Sequence, residues 1–114
     1  AGGQINRGRD GFLGSMTQEF IAKLKPDIAF VGAVGVDVAA NSVSTYDIED
    51  GMSKAVIIGR SKRTYVVAES RKLSTNGNDD YAKLSALAGL ITDSEPPSAV
   101  RAAAAELGVE IILP

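Results

Sequence analysis

The chain has 114 residues, enough for one domain with one core and too few for two. Its 45% apolar and 23% charged residues are the balance of an ordinary globular protein, which excludes disorder over the whole length. A formal net charge of −2 argues against a face that grips nucleic acid through its phosphates. With no cysteine, disulfide and thiolate chemistry are excluded. With no histidine, the commonest general base and metal ligand is missing too. Catalysis, if any, would rest on Asp, Glu, Lys, Ser, Thr or Tyr.

No apolar run approaches the roughly 20 residues that span a bilayer, and no secretory leader is evident. A cytoplasmic protein without membrane contact is the expectation. The first residues, Ala1-Gly2-Gly3, read as the middle of a pattern, so the chain is taken as a fragment of a longer protein.

Residues 1–14 are Gly-rich and polar, carry Arg7 and Arg9, and read as a loop. Ser15-Met16-Thr17-Gln18 is a capping-box pattern, and Met16, Phe20 and Leu24 follow four apart on one helical face. Pro26 ends that helix. Ile28 to Val34 is a short apolar run without alternation, which predicts a strand covered on both faces. Residues 35–46 read as a loop ending in Ser42, Ser44, Thr45 and Tyr46. A helix capped by Asp47 is predicted over Ile48 to Arg60, with Ile48, Met52, Ala55, Val56 and Gly59 in one stripe.

Thr64 to Ala68 is the second predicted strand. A polar loop containing Asn76-Gly77-Asn78-Asp79-Asp80 follows, with a short helix expected before the next strand. Ala88 to Thr92 is the third strand. Pro96-Pro97 opens a helix whose inner stripe is Val100, Ala103, Ala104 and Leu107, stopped by Gly108. Val109 to Leu113 is the last strand. Strands alternating with helices predict an α/β domain built on an open parallel sheet with helices on both faces.

In such a sheet ligands collect beyond the carboxyl ends of the strands. Gly35-Val36-Asp37 follow the first strand, Glu69-Ser70-Arg71-Lys72 the second, and Thr92-Asp93-Ser94 the third. Small residues near Gly32 and Gly35 would let a ligand approach the backbone. Each polar residue has a plain alternative. Lys72 either meets a phosphate or is solvated, and Asp37 either bonds a hydroxyl or caps a turn. Lys54 either reaches a ligand or pairs with Asp50 one turn back. Tyr65 reads as packing. No P-loop, nucleophile elbow, zinc-protease motif, calcium loop or complete dinucleotide fingerprint is present.

Taken in order, Asp27-Ile28-Ala29-Phe30-Val31-Gly32-Ala33-Val34-Gly35-Val36-Asp37, Thr45, Lys54-Ala55-Val56-Ile57-Ile58, Ala68-Glu69-Ser70-Arg71-Lys72, Ile91-Thr92-Asp93 and Gly108-Val109-Glu110-Ile111 form a connected set. Together with Gly2-Gly3 and Gly14, they resemble the C-terminal effector-sensing domain of DeoR-type transcription regulators, nearly end to end. The resemblance implies that residues 1–114 are the C-terminal part of a phosphosugar-sensing domain. The implied fold is the one shared with type A ribose-5-phosphate isomerase and the CoA transferases, here as a partial domain. It also implies a phosphorylated-sugar effector, a homo-oligomer, and operator DNA bound through an N-terminal helix-turn-helix absent from this chain. The residues it assigns to the effector are Gly35, Asp37, Thr45, Lys54, Glu69 and Lys72, with no metal, cofactor or catalytic residue. Three departures stand out. Glu69 replaces the family's aspartate. Asn41-Ser42-Val43-Ser44 lacks the usual glycine. The acid preceding Lys54 is either Glu49 or Asp50.

The related isomerases carry several acids after this first strand, whereas here only Asp37 remains. Aldose–ketose isomerisation needs a base for a carbon-bound proton and donors that polarise the carbonyl. Binding alone needs hydrogen bonds and one or two cations. The expectation is therefore a non-catalytic sensor. A sugar-phosphate isomerase or related transferase-fold enzyme is the first alternative, and an oligomerisation module the second.

Overall fold

The computed structural model describes residues 25–114. The predicted Gly-rich segment and the helix with Met16, Phe20 and Leu24 lie outside them. In chain order the elements are β1 (Ile28–Gly32), β2 (Gly35–Asp37), β3 (Ser42–Thr45), α1 (Ile48–Arg60), β4 (Arg63–Val67), β5 (Asp79–Ala82), β6 (Gly89–Ile91), α2 (Ser98–Leu107) and β7 (Glu110–Ile112). Two short 3₁₀ turns, Ser70–Lys72 and Leu84–Ala86, lie between β4 and β6.

The parallel sheet predicted from the apolar runs is present, with strand order β1-β4-β6-β7. Its register aligns Val31, Val66, Leu90 and Ile111 in one row across all four strands. Val31, Val66 and Leu90 are buried and Ile111 packs against them, so this row is the spine of the core. On β1 the expectation of burial on both faces fails. Ile28 is 42% exposed and Phe30 64%. Phe30 instead stacks on Tyr65, its register partner on β4, with ring centroids 5.8 Å apart.

β1 also ends earlier than predicted, at Gly32, because the chain leaves the parallel sheet there. Residues 35–46 are not a loop. They hold β2 and β3, which pair antiparallel with each other and, through β3, with β5 in a second sheet of order β2-β3-β5. Val36 and Val43 face each other in register and are fully buried. The intervening turn places Asn41 at φ 57°, a left-handed conformation that asparagine tolerates better than most residues. β5, Asp-Asp-Tyr-Ala, has no apolar alternation and reads as a turn in sequence. The short helix expected after β4 is instead the pair of 3₁₀ turns.

α1 forms where expected, with the Asp47 carboxylate accepting from the Glu49 amide at 2.9 Å. Its predicted stripe is wrong along most of the helix, since Ile48 is 63% and Met52 48% exposed and Ala55 and Gly59 are exposed as well. The buried positions there are Gly51 and Ser53, while Ile57 and Ile58 reach the core. Small residues face inward because the N-terminal half of α1 lies against β3 and β5. A Cβ on Gly51 would already touch Thr45 and Tyr81. α2 follows its predicted pattern, with Ala104 buried and Val100, Ala103 and Leu107 packed on the core. Gly108 closes it at φ 73°, which an L side chain rarely adopts.

Candidate functional site

The carboxyl ends of β4, β6 and β7 line an open cavity of about 340 Å³. Its floor is apolar, from Val67, Ile91 and Ile112, and its edge carries Glu69, Thr92 and Asp93. Immediately after β4 the chain forms the Ser70–Lys72 turn, closed by Lys72 N–H donating to Glu69 O at 2.9 Å and Leu73 N–H to Ser70 O at 3.3 Å. Leu73 is buried and anchors the far end of the turn in the core.

Most charges on this rim are already engaged. Arg71 donates from Nε and Nη2 to the two Glu69 carboxylate oxygens, each at 3.2 Å. This hydrogen bond and the opposite charge hold the Glu69 carboxyl below its usual range and raise the Arg71 guanidinium. The Asp93 carboxylate accepts the Ser70 backbone amide at 2.7 Å, and Ser70 Oγ lies 2.9 Å from Ser94 Oγ. The Ser70 amide, and after it the Ser70 hydroxyl, keep Asp93 below the ordinary carboxylate range. Lys72 differs. Among the described residues its ammonium makes no salt bridge or side-chain hydrogen bond.

From Lys72 the chain runs onto the second sheet. Thr75 N–H donates to Val36 O at 3.3 Å, Val38 N–H to Leu73 O at 3.3 Å, and Asp37 bridges to Ser74. The turn bearing Lys72 and the strand bearing Asp37 are thereby joined. Asp37 itself caps a turn, accepting from Ala40 N–H at 3.0 Å through Oδ1 and from Asn76 Nδ2 at 3.1 Å through Oδ2. Asn76 in turn accepts from Ser42 Oγ at 3.2 Å.

Gly35 is glycine for a reason internal to the protein. A Cβ there would fall 2.7 Å from the Thr75 carbonyl oxygen, so the close approach belongs to the chain itself. Gly32 is the more open position, exposed and with no atom within 4 Å of an added Cβ.

Thr45 and Lys54 belong to a third group, between α1 and the second sheet. Lys54 Nζ lies 2.8 Å from Asp50 Oδ2 and 5.6 Å from the centre of the Tyr81 ring. Asp50 is therefore the acid of the α1 pattern that pairs with Lys54. Thr45, buried, donates to the same Asp50 oxygen at 3.2 Å. Tyr81 donates to Gly32 O at 2.9 Å, tying this group to the end of β1. Burial, and then Asp50, push the Tyr81 phenol well above its ordinary value. A second open concavity, of about 410 Å³, lies by Ser42 and Lys83 on the second sheet.

The six residues expected at the site thus fall in three places. Glu69 and Lys72 stand on the rim, Gly35 and Asp37 on the adjoining strand β2, and Thr45 and Lys54 beneath α1. Sequence reasoning missed Ser70, Ser94, Asn76 and Tyr81 as partners. Ser70, Asp93 and Ser94 were visible as polar residues after strands. Nothing in the sequence marked Tyr81.

A parallel α/β sheet with a polar carboxyl rim defines the class of ligand-binding α/β domains. Within it the chain belongs to the DeoR C-terminal sensor domain family, whose model matches residues 1–94. It is 27% identical over 100 residues to the glycerol-3-phosphate regulon repressor of Escherichia coli (strain K12), covering 88% of this chain and 39% of that protein. It is 29% identical over 112 residues to the HTH-type transcriptional repressor GlcR of Bacillus subtilis (strain 168), covering 98% and 43% respectively. The HTH-type transcriptional repressor CsqR of E. coli (strain K12) is 23% identical over 115 residues, covering 99% and 43%. The chain spans about two fifths of the length of these relatives.

Proposed function

We propose that this chain is the effector-binding part of a DeoR-type transcriptional repressor. It senses a phosphorylated sugar or polyol at the carboxyl rim of the parallel sheet and carries out no chemistry. The observation that carries this reading is the 340 Å³ cavity edged by Glu69, Thr92 and Asp93 at the strand ends, with Lys72, unpaired among the described residues, in the turn directly after Glu69, where Arg71 is neutralised by Glu69. A compact cation in the turn that leads off an apolar-floored cavity suits a phosphate with a small carbon skeleton. The name of the E. coli relative, a glycerol-3-phosphate regulon repressor, supports that class of effector.

In this reading Lys72 meets the phosphate and Asp37 faces the hydroxyls from β2. Glu69 lines the cavity, while Gly35, Thr45 and Lys54 lie outside its lining. A non-catalytic role is supported by how the acids are engaged. Asp37 accepts one hydrogen bond from its own turn and one from Asn76, Asp50 is ion-paired, and no histidine exists to move a proton. DNA would be held by a helix-turn-helix elsewhere in the regulator. Effector binding would favour one arrangement of a homo-oligomer and change operator affinity through that differential binding.

Calorimetry on the full-length protein with ribose 5-phosphate, fructose 6-phosphate and glycerol 3-phosphate tests the reading. Heat with at least one is expected, with binding weakened about tenfold but still measurable in Lys72→Ala. Silence with all three would sink it. Turnover of ribose 5-phosphate to ribulose 5-phosphate would replace the sensor with an isomerase.

A further inference from the structure

We infer that Asp93, with Ser94, is a positioning device that sets the orientation of Lys72, and so is a determinant of phosphate affinity without touching the ligand. The inference rests on the effector reading of the rim. It starts from an oddity. A rim that attracts an anion carries two carboxylates, Glu69 and Asp93, and like charge there weakens anion binding. The geometry accounts for both. Glu69 is covered by Arg71. Asp93 directs one oxygen at the Ser70 amide at 2.7 Å, a charge-assisted hydrogen bond to the first residue of the turn that ends in Lys72. The Ser70–Ser94 hydroxyl contact at 2.9 Å adds a second tie between the same two segments.

The turn is stiff, because Lys72 N–H and Leu73 N–H bond back to Glu69 and Ser70. A stiff turn held at its first residue is held at its last. Leu73 fixes the inner side of the turn in the core, and Asp93 fixes the side facing the strand ends. Without the Asp93 tie, the Ser70–Ser94 hydroxyl contact is what remains, among the described contacts, to hold Ser70 to the segment after β6. The turn, and the Lys72 backbone with it, would then sample more positions relative to the strand ends, at an entropic cost to binding.

The test is calorimetry on full-length protein with ribose 5-phosphate, fructose 6-phosphate and glycerol 3-phosphate, using whichever wild type binds. Asp93→Ala is expected to weaken binding by at least about fivefold, the scale of one hydrogen bond. Asp93→Asn keeps an acceptor for the Ser70 amide and is expected to stay within about twofold. In a Lys72→Ala background, Asp93→Ala should add nothing, because it acts through Lys72. A purely structural role would give neither the asparagine rescue nor that loss of additivity. Wild-type binding that Asp93→Ala leaves unchanged, or losses that add to those of Lys72→Ala, would overturn this inference alone. A silent wild type would overturn the effector reading and this inference with it.

Discussion

The two sheets of this domain are held together differently. The parallel sheet is an apolar row, Val31-Val66-Leu90-Ile111, repeated across four strands. The antiparallel sheet has one fully buried valine pair, Val36 and Val43, surrounded by hydroxyl and amide contacts. Ser44 Oγ donates to Gly35 O at 3.3 Å and accepts from Gly77 N–H at 2.6 Å, joining β2, β3 and the 73–78 segment. Asp37, Asn76 and Ser42 form a second chain of such bonds. Hydrophobic burial is non-directional and tolerant, whereas hydrogen bonds require each partner in place. The parallel sheet should therefore govern global stability, and the antiparallel sheet the local geometry beside the rim.

That division can be broken in several places. Leu90→Ala removes a fully buried side chain from the central row and is expected to cost about 2–5 kcal/mol in urea unfolding, lowering all probes together. Gly35→Ala drives a Cβ into the Thr75 carbonyl and is expected to cost about 1–3 kcal/mol. Hydrogen exchange should show its damage first in β2 and β3, with β4 and β6 still protected. Equal loss of protection in both sheets would contradict the division. Ser44→Ala strands the Gly77 amide and is expected to cost about 1 kcal/mol.

The smallest effect concerns alkaline pH. The Tyr81 phenol has its folded value raised above its unfolded one, first by burial and then by Asp50. The folded state keeps the proton that the unfolded state releases. Its contribution is complete below the unfolded value, near pH 10, and fades as pH rises beyond it. Tyr81→Phe should flatten the fall in stability above that pH in a series of denaturant titrations. An unchanged alkaline slope would mean that the phenol is not held by this site.

The same contrast explains what could be read from residues alone. The four parallel strands, α1 with its Asp47 cap, and α2 ended by Gly108 all announce themselves by apolar runs or caps. β2, β3 and β5 do not, because Ser42, Ser44, Thr45, Asp79 and Asp80 are polar residues whose burial or pairing depends on partners distant in the chain. Ser44 finds Gly77 33 residues away, and Asp37 finds Asn76 across 39. The inward face of α1 was misread for the same reason: Gly51 and Ser53 face a sheet that the pattern did not reveal. At the site, polar residues after β4 and β6 were visible. Their pairing, Glu69 with Arg71 and Ser70 with Asp93, follows from the turn geometry and from strand neighbours, neither of which local composition encodes.

The central claim is that an anionic metabolite sits where the turn after β4 meets the ends of β6 and β7. Amide chemical-shift mapping on ¹⁵N-labelled protein, titrated with the sugar or polyol phosphate that gives heat, tests this most directly. The account predicts the largest shifts at Ser70, Arg71, Lys72 and Asp93, with smaller ones along β2 at Asp37. Shifts centred instead on Ser42 and Lys83, at the concavity of the second sheet, would contradict it.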